Sequence, residues 1–403
     1  MKVLHVLYQS FPHITGSSTR SRDLLTAQKS IGINPVVITS PFQKGIEEVD
    51  VLYGVKHYRT FEEGKDTPTS EKDKGLRNRI RRILRMPYFI REVKKVLKAE
   101  KPEVIHAHAT FFCGLSAAII GYFFKLPVIY EVRSIWEQRI LEQNKSVKAK
   151  MQVKLISFLE VMSMRLSNHV VAISKHLKED IEERGISTSK ITVVGNAVNL
   201  EMIKDSGIEE KLMLKNAKDF IFSYIGGISS IEGLDVLIKA FAKLSRKGYS
   251  NKLFIYGDGV YLGALLKLKE ELHADNVHFK GRVAHEFIYK AYNSIDVIVN
   301  PRRNIHINNT VTPLKPLEAM AYRKLVIGSD VGGLREIIQD GKTGILFKAD
   351  DVDDLYSKII KLIGSSRDEL QSFRNDAYNY VINERNWLSN AKKYCELYKS
   401  LIS

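Results

Sequence analysis

Cysteine is nearly absent from this chain: two in 403 residues, Cys113 and Cys395. Two thiols build neither a disulfide framework nor a cysteine metal cluster, and they suit a reducing cytoplasm. Long apolar runs are also missing. The most apolar stretch, residues 115–130, is broken by Lys125 and Pro127 and is too short to span a bilayer. The opening MKVLHVLYQSF has no small-residue cleavage pattern and does not read as a signal peptide. Internal repeats, low-complexity tracts and a G-x-G-x-x-G fingerprint are absent, so a dinucleotide site is not indicated. Acidic residues are in deficit, 46 against 62 basic, for a net charge of +16. That excess points to an anionic partner such as nucleic acid, an acidic membrane or a phosphorylated ligand, or simply to a solvated basic surface.

What is present is alternation. Apolar strand patterns fall at residues 3–8, 35–39, 103–108, 127–132, 170–173 and 191–194. They resume at 220–225, 252–256, 276–280, 296–300 and 325–328. Helical spacing lies between them, at residues 23–32 and 148–166 and after Ser174, and helices fill 352–403. Strands alternating with helices predict α/β architecture with two doubly wound halves, and 403 residues suffice for two or three domains. Ligands of such sheets sit at the carboxyl ends of strands. Glycines stand there: Gly16 after the first strand and Gly226-Gly227 after the strand at 220–225.

The most informative stretch is residues 300–321, NPRRNIHINNTVTPLKPLEAMA. It reads as a strand end, a polar loop and a helix whose first turn holds Pro316. Lys315 beside free helix N–H groups makes an anion site; an ordinary strand-to-helix link with a solvated lysine is the alternative. Residues 71–101 carry twelve Lys or Arg against four acids, with apolar residues at helical spacing and a break at Pro87. Such a segment either packs on its own sheet or lies on an anionic membrane, each basic residue then adding roughly 1 kcal/mol. Nucleic acid fits less well, since no aromatic residues alternate with the charges. His106 and His108 share one strand face, but no third metal ligand follows at a sensible spacing, so no metal is expected. On residues alone, Arg133 reads as the partner of Glu131 or Glu137.

The same residues resemble the family 4 retaining glycosyltransferases, which have the GT-B fold. Glu318 with residues 319–321 matches the end of that family's E-x7-E motif, and Thr310 stands where the first Glu is usual. The run T-P-L-K-P-L-E-A-M-A at 312–321 and Y-E-V-R at 130–133 match one subgroup well. Glu232 occupies a position where many members have a phosphate-binding Lys. Residues 193–198 resemble the interdomain hinge, with Gly195 at its usual Pro position and Ala197 at its usual Gly position.

The resemblance implies two Rossmann-like domains facing a cleft. Residues 1–195 would form an acceptor-side domain, with 385–403 packing back on it. Residues 196–384 would form the domain for the nucleotide-sugar donor. It implies transfer with retention and no metal, from a UDP-sugar in first place, to a glycan or lipid-linked acceptor in cell-envelope polysaccharide or glycolipid synthesis. The enzyme would be cytoplasmic, at the inner face of the plasma membrane, with residues 72–101 as the membrane-facing segment and no nucleic-acid partner. Lys315 and Arg303 would hold the diphosphate and Glu318 the ribose. Gly226, Gly227, Arg282, Thr312 and Leu314 would line the donor, and Gly16, His108 and Arg133 would face the reacting sugars. A sugar-nucleotide epimerase or hydrolase of the same fold is an alternative. A non-catalytic basic protein that binds membrane or nucleic acid is another.

Overall fold

The computed structural model describes residues 1–43, 47–61, 82–135, 146–204, 217–284 and 287–402. They form two compact units, Met1–Gly195 with Trp387–Ser403, and Asn196–Asn386.

The first unit is built on an eight-stranded sheet. Its strands are β1 (Lys2–Leu7), β2 (Asn34–Thr39), β3 (Val49–Leu52), β4 (Val55–Tyr58), β5 (Val104–His108), β6 (Val128–Val132), β7 (His169–Ala172) and β8 (Ile191–Val193), in the order β3-β4-β2-β1-β5-β6-β7-β8. All neighbours are parallel except the β3–β4 hairpin. Its helices are α1 (Gly16–Ser30), α2 (Met86–Glu100), α3 (Phe111–Phe124), α4 (Val147–Leu166) and α5 (Lys175–Glu183). β5 and β6 are buried at every position, as central strands covered on both faces must be.

Two local outcomes differ from the sequence expectation. α1 starts at Gly16, not at Asp23. Thr15 caps it by accepting from the Ser18 N–H, while the Ser18 hydroxyl accepts from the Thr15 N–H. The basic segment is described only from residue 82 onward; the remainder of 72–101 lies outside the described residues. Within α2 the apolar face, Phe89, Val93, Val96 and Leu97, is buried, and Arg91, Lys94, Lys95 and Lys98 form a solvated back. Ser174 caps α5 as its position suggests, accepting from the Leu177 N–H at 3.0 Å.

The second unit holds a six-stranded, all-parallel sheet of β9 (Ile221–Ile225), β10 (Lys252–Tyr256), β11 (Val277–Gly281), β12 (Val297–Asn300), β13 (Leu325–Ser329) and β14 (Ile345–Phe347). Its order is β11-β10-β9-β12-β13-β14. Alternation along β12 and β13 splits the core in two. Val297, Val299, Leu325 and Ile327 pack on one face, and Ile298 and Val326 on the other. The helices are α6 (Leu200–Lys204), α7 (Leu234–Arg246), α8 (Leu262–Glu271), α9 (Ile288–Asn293), α10 (His306–Thr310), α11 (Lys315–Ala321), α12 (Gly332–Arg335), α13 (Val352–Gly364) and α14 (Arg367–Glu384). The expected polar loop after β12 thus contains a short helix, α10. The last helix, α15 (Trp387–Ile402), belongs to the first unit and packs on α1.

Candidate functional site

In the second unit the turns after adjacent strands are laced together by backbone hydrogen bonds. The Gly226 N–H donates to Tyr256 O at 2.9 Å, Ile228 N–H to Asp258 O at 2.9 Å, and Gly257 N–H to Gly281 O at 2.8 Å. Against this shelf lies Lys315, the first residue of α11. Its ammonium donates to the Tyr224 hydroxyl at 2.9 Å and stands 4.6 Å from the centre of that ring. The Tyr224 hydroxyl in turn donates to Gly227 O at 2.8 Å. Gly226 has φ +154, and a Cβ there would stand 1.7 Å from Lys315 Nζ, so the glycine makes room for the lysine. A Cβ at Gly227 would meet open space.

The charges around Lys315 are paired. Glu232 is buried and lies 3.5 Å from Arg302, whose guanidinium also donates to Val311 O at 3.0 Å. Burial alone would raise the Glu232 carboxyl, but Lys315 and then Arg302 hold it below the usual range. Burial lowers the Lys315 ammonium, against the pull of Glu232. Glu232 therefore does not leave this turn without positive charge, because Lys315 and Arg302 supply it across the turn.

The other expected donor residues are placed as follows. Arg303 is turned to Asp235 at 2.6 Å and Asp350 at 2.9 Å and donates to Ser230 O, so Arg302 is the arginine next to Glu232 and Lys315. Arg282 is exposed just past the end of β11. Thr312 is buried, its carbonyl and hydroxyl both accepting from Asn196 Nδ2. Leu314 precedes the first turn of α11. Glu318, one turn into that helix, accepts from the Tyr292 hydroxyl at 3.1 Å. Thr310 is buried at the end of α10 and donates to His306 O at 3.1 Å. Gly233, within the E-G-L-D run, has φ +66, and a Cβ there would be 2.0 Å from Pro301 O.

The first unit holds a second constellation, a buried polar network around Glu131 on β6. Arg20, Arg133 and Tyr394 all donate to its carboxylate. Burial would raise this carboxyl, but Arg20 and Arg133 hold it well below its ordinary value. Arg133 also donates to His108 Nδ1 at 2.8 Å, and that contact fixes the direction of everything beyond it. His108 must donate from Nε2 to His5 Nδ1 at 2.9 Å, and His5 from Nε2 to Gln28 Oε1 at 2.8 Å. Gln28 donates to the Tyr398 hydroxyl at 2.8 Å, which donates to His106 Nδ1 at 2.7 Å. The free N–H of His106 then faces Glu131, 3.8 Å away. All three imidazoles are neutral. Burial lowers each, His108 to about 4, with Arg133 the next cause there.

His5 is thus the third histidine that spacing did not reveal. It lies some hundred residues upstream, but β1 and β5 are neighbours and His5 is in register with His106. The three rings bring nitrogens within 4.8 Å of one another. The His5–His108 contact is a hydrogen bond, closer than the roughly 3.3 Å between two nitrogens on one tetrahedral metal. Arg133 has a further function in this network. Its Nη1 donates to Ser17 O, Ser17 Oγ and Ser21 Oγ at 2.7–2.9 Å, fixing the first turn of α1 where Gly16 stands. A Cβ at Gly16 would meet open space.

Two parallel-sheet α/β units of this kind define the GT-B class of glycosyltransferase folds. HepE of Anabaena, solved in complex with UDP, superimposes with a TM-score of 0.74 at 17% identity, over 100% of both chains. The model described as Glycosyltransferase Family 4 matches residues 14–202, and the one described as Glycosyl transferases group 1 matches 208–380. An uncharacterized glycosyltransferase of Methanocaldococcus jannaschii is 22% identical over 91% of this chain and 90% of its own. The capsular polysaccharide biosynthesis glycosyltransferase CapM of Staphylococcus aureus is 26% identical over 66% and 68%. This chain belongs to the family 4 glycosyltransferases.

Proposed function

We propose that the chain moves a hexose from a nucleoside-diphosphate sugar to a glycan or lipid-linked acceptor, with retention at the anomeric carbon and without a metal ion. The observation that carries this reading is the grouping of Lys315, Arg302, Glu232 and Tyr224 beside the Gly226-Gly227 turn. The Lys315 ammonium and the Arg302 guanidinium bring two cations to the Glu232 carboxylate at the ends of parallel strands, where a diphosphate is a fitting ligand. Tyr224 holds the Lys315 ammonium in place from below. Arg302 takes the part expected of Arg303, whose guanidinium is committed to Asp235 and Asp350.

Gly226 and Gly227 let the diphosphate approach the backbone, with Leu314 at the start of α11 and Thr312 buried behind it against Asn196. Glu318 suits the ribose hydroxyls, and Arg282 lies on the side of the base. When the bond from the sugar to the diphosphate breaks, charge grows on the leaving oxygen, and Lys315 and Arg302 stabilise it there. Gly16 lies on the acceptor side. His108 and Arg133 act behind it as positioning groups that hold the first turn of α1. HepE was solved in complex with UDP, which favours a UDP-sugar, and the likeness to CapM, named for capsular polysaccharide biosynthesis, favours envelope polysaccharide synthesis. No helix among the described residues is long and apolar enough to cross a membrane; the proposed attachment at the inner face of the plasma membrane is peripheral.

The test is turnover of UDP-sugars with a glycan acceptor, with and without EDTA. Lys315→Ala should lower kcat/KM by about two to three orders of magnitude, the cost of losing one charge-assisted contact in the transition state. EDTA should change nothing. Near-normal turnover by Lys315→Ala would refute the assignment.

A further inference from the structure

α4 is apolar on two opposite faces. One face, with Ala149, Val153, Ile156 and Met164, is buried in the first unit. The other carries Val147, Met151, Leu155 and Phe158, which are 73%, 67%, 51% and 60% exposed. At 100° per residue these four fall within one stripe about 80° wide, nearly opposite the buried face. Four large apolar side chains aligned over three turns form a continuous patch, unlike scattered surface leucines.

The flanks of the stripe are basic. Lys148 borders one side, Lys150 and Lys154 the other, and all three are exposed. The only acid in α4, Glu160, is buried, accepting from the Tyr130 hydroxyl and the Phe111 N–H. Apolar residues down the middle with lysines on both edges and no exposed acid match a helix lying in the headgroup region of an anionic bilayer. A second copy of the chain fits less well. Pairing two such stripes would bring three lysines from each copy together, with no carboxylate on the helix to receive them.

We propose that the exposed face of α4 docks the first unit on an anionic lipid surface. The apolar face of α2 is buried, so this role falls to α4 and not to α2. The proposal supplies the surface for the peripheral attachment proposed above, but it does not depend on the donor site, which lies in the other unit.

The experiment is co-sedimentation of the full chain with vesicles of pure phosphatidylcholine and of 70:30 phosphatidylcholine:phosphatidylglycerol. Size measurement without lipid and UDP binding run alongside it. Wild type should bind the anionic vesicles only, and less in high salt. The exposed triple variant Met151→Ser/Leu155→Ser/Phe158→Ser should keep its melting temperature and UDP affinity and lose vesicle binding by about tenfold or more. Lys148→Ala/Lys150→Ala/Lys154→Ala should lose the preference for anionic lipid. Wild type that ignores both vesicles, or a triple variant that binds as wild type does, would overturn the proposal. So would a wild-type dimer that the triple variant dissolves, since the stripe would then be a protein interface. UDP binding that stays intact while vesicle binding fails would leave the transferase reading standing.

Discussion

Gly226 and Gly227 are adjacent and are glycine for different reasons. At Gly226 a methyl group would collide with the Lys315 ammonium, and the flexible lysine would move. Gly226→Ala should therefore weaken UDP binding by about tenfold, the scale of one hydrogen bond to a charged group. At Gly227 no protein atom competes for the space. Gly227→Ala should leave the melting temperature unchanged and weaken UDP binding only by obstructing the diphosphate. Unaltered binding would remove Gly227 from the donor site. The buried histidines predict a pH dependence. An unfolded histidine titrates near 6.5, whereas His5, His106 and His108 are lowered in the fold, His108 to about 4. Above pH 6.5 their contribution is complete. As pH falls from there toward 4, the unfolded chain takes up protons that the folded chain refuses, and stability drops by about 1 kcal/mol per pH unit for each histidine. Melting temperatures between pH 7.5 and 5 should show this slope, and His108→Gln should flatten it. At this scale the sequence revealed residue types but not partners. Lys315, Glu232 and Arg303 were singled out in the sequence, while the choice between Arg302 and Arg303 rests on which of two neighbours Asp235 and Asp350 capture.

Among the elements, α15 reaches into the first unit's interior. Two of its tyrosines complete the polar network. Tyr394 donates to Glu131 and accepts from Arg20 at 3.2 Å, and Tyr398 links Gln28 to His106. Tyr394→Phe keeps the ring and removes a donor from a buried carboxylate. It should destabilise the first unit by about 1–3 kcal/mol, measured as an earlier urea transition of that unit while UDP binding by the other unit is unchanged. The helical periodicity of this last segment was plain in the sequence, but its polar partners were not, because they lie about 260–370 residues upstream. Boundaries followed local chemistry. The Thr15 capping box moved the start of α1 forward to Gly16, and α10 formed in a stretch whose asparagines read as loop. α2, the described helix of the basic segment 71–101, takes the form of a helix packed on its own sheet with a solvated basic back, one of the two readings its composition allowed; residues 71–81 lie outside the described residues.

For the whole molecule, strand and helix alternation was enough to predict two doubly wound sheets. The near-continuous apolar runs of β12 and β13 are what parallel strands buried on both faces require, whereas β5 and β6 carry His106, His108 and Glu131 into the same burial. Strand order was not legible, and with it went the neighbouring of β1 and β5 that gathers the three histidines. The run at 312–321 carried the resemblance to the family as a motif; its spacing alone, a lysine and a proline at a helix start, left both an anion site and an ordinary strand-to-helix link open. The central claim is that the second unit binds a nucleoside diphosphate through Lys315. Calorimetric titration of wild type and Lys315→Ala with UDP, in the presence of EDTA, tests it most directly. Wild type should bind without metal, and the variant about tenfold to a hundredfold more weakly, as loss of a charge-assisted hydrogen bond requires. A variant that binds UDP as tightly as wild type would contradict it.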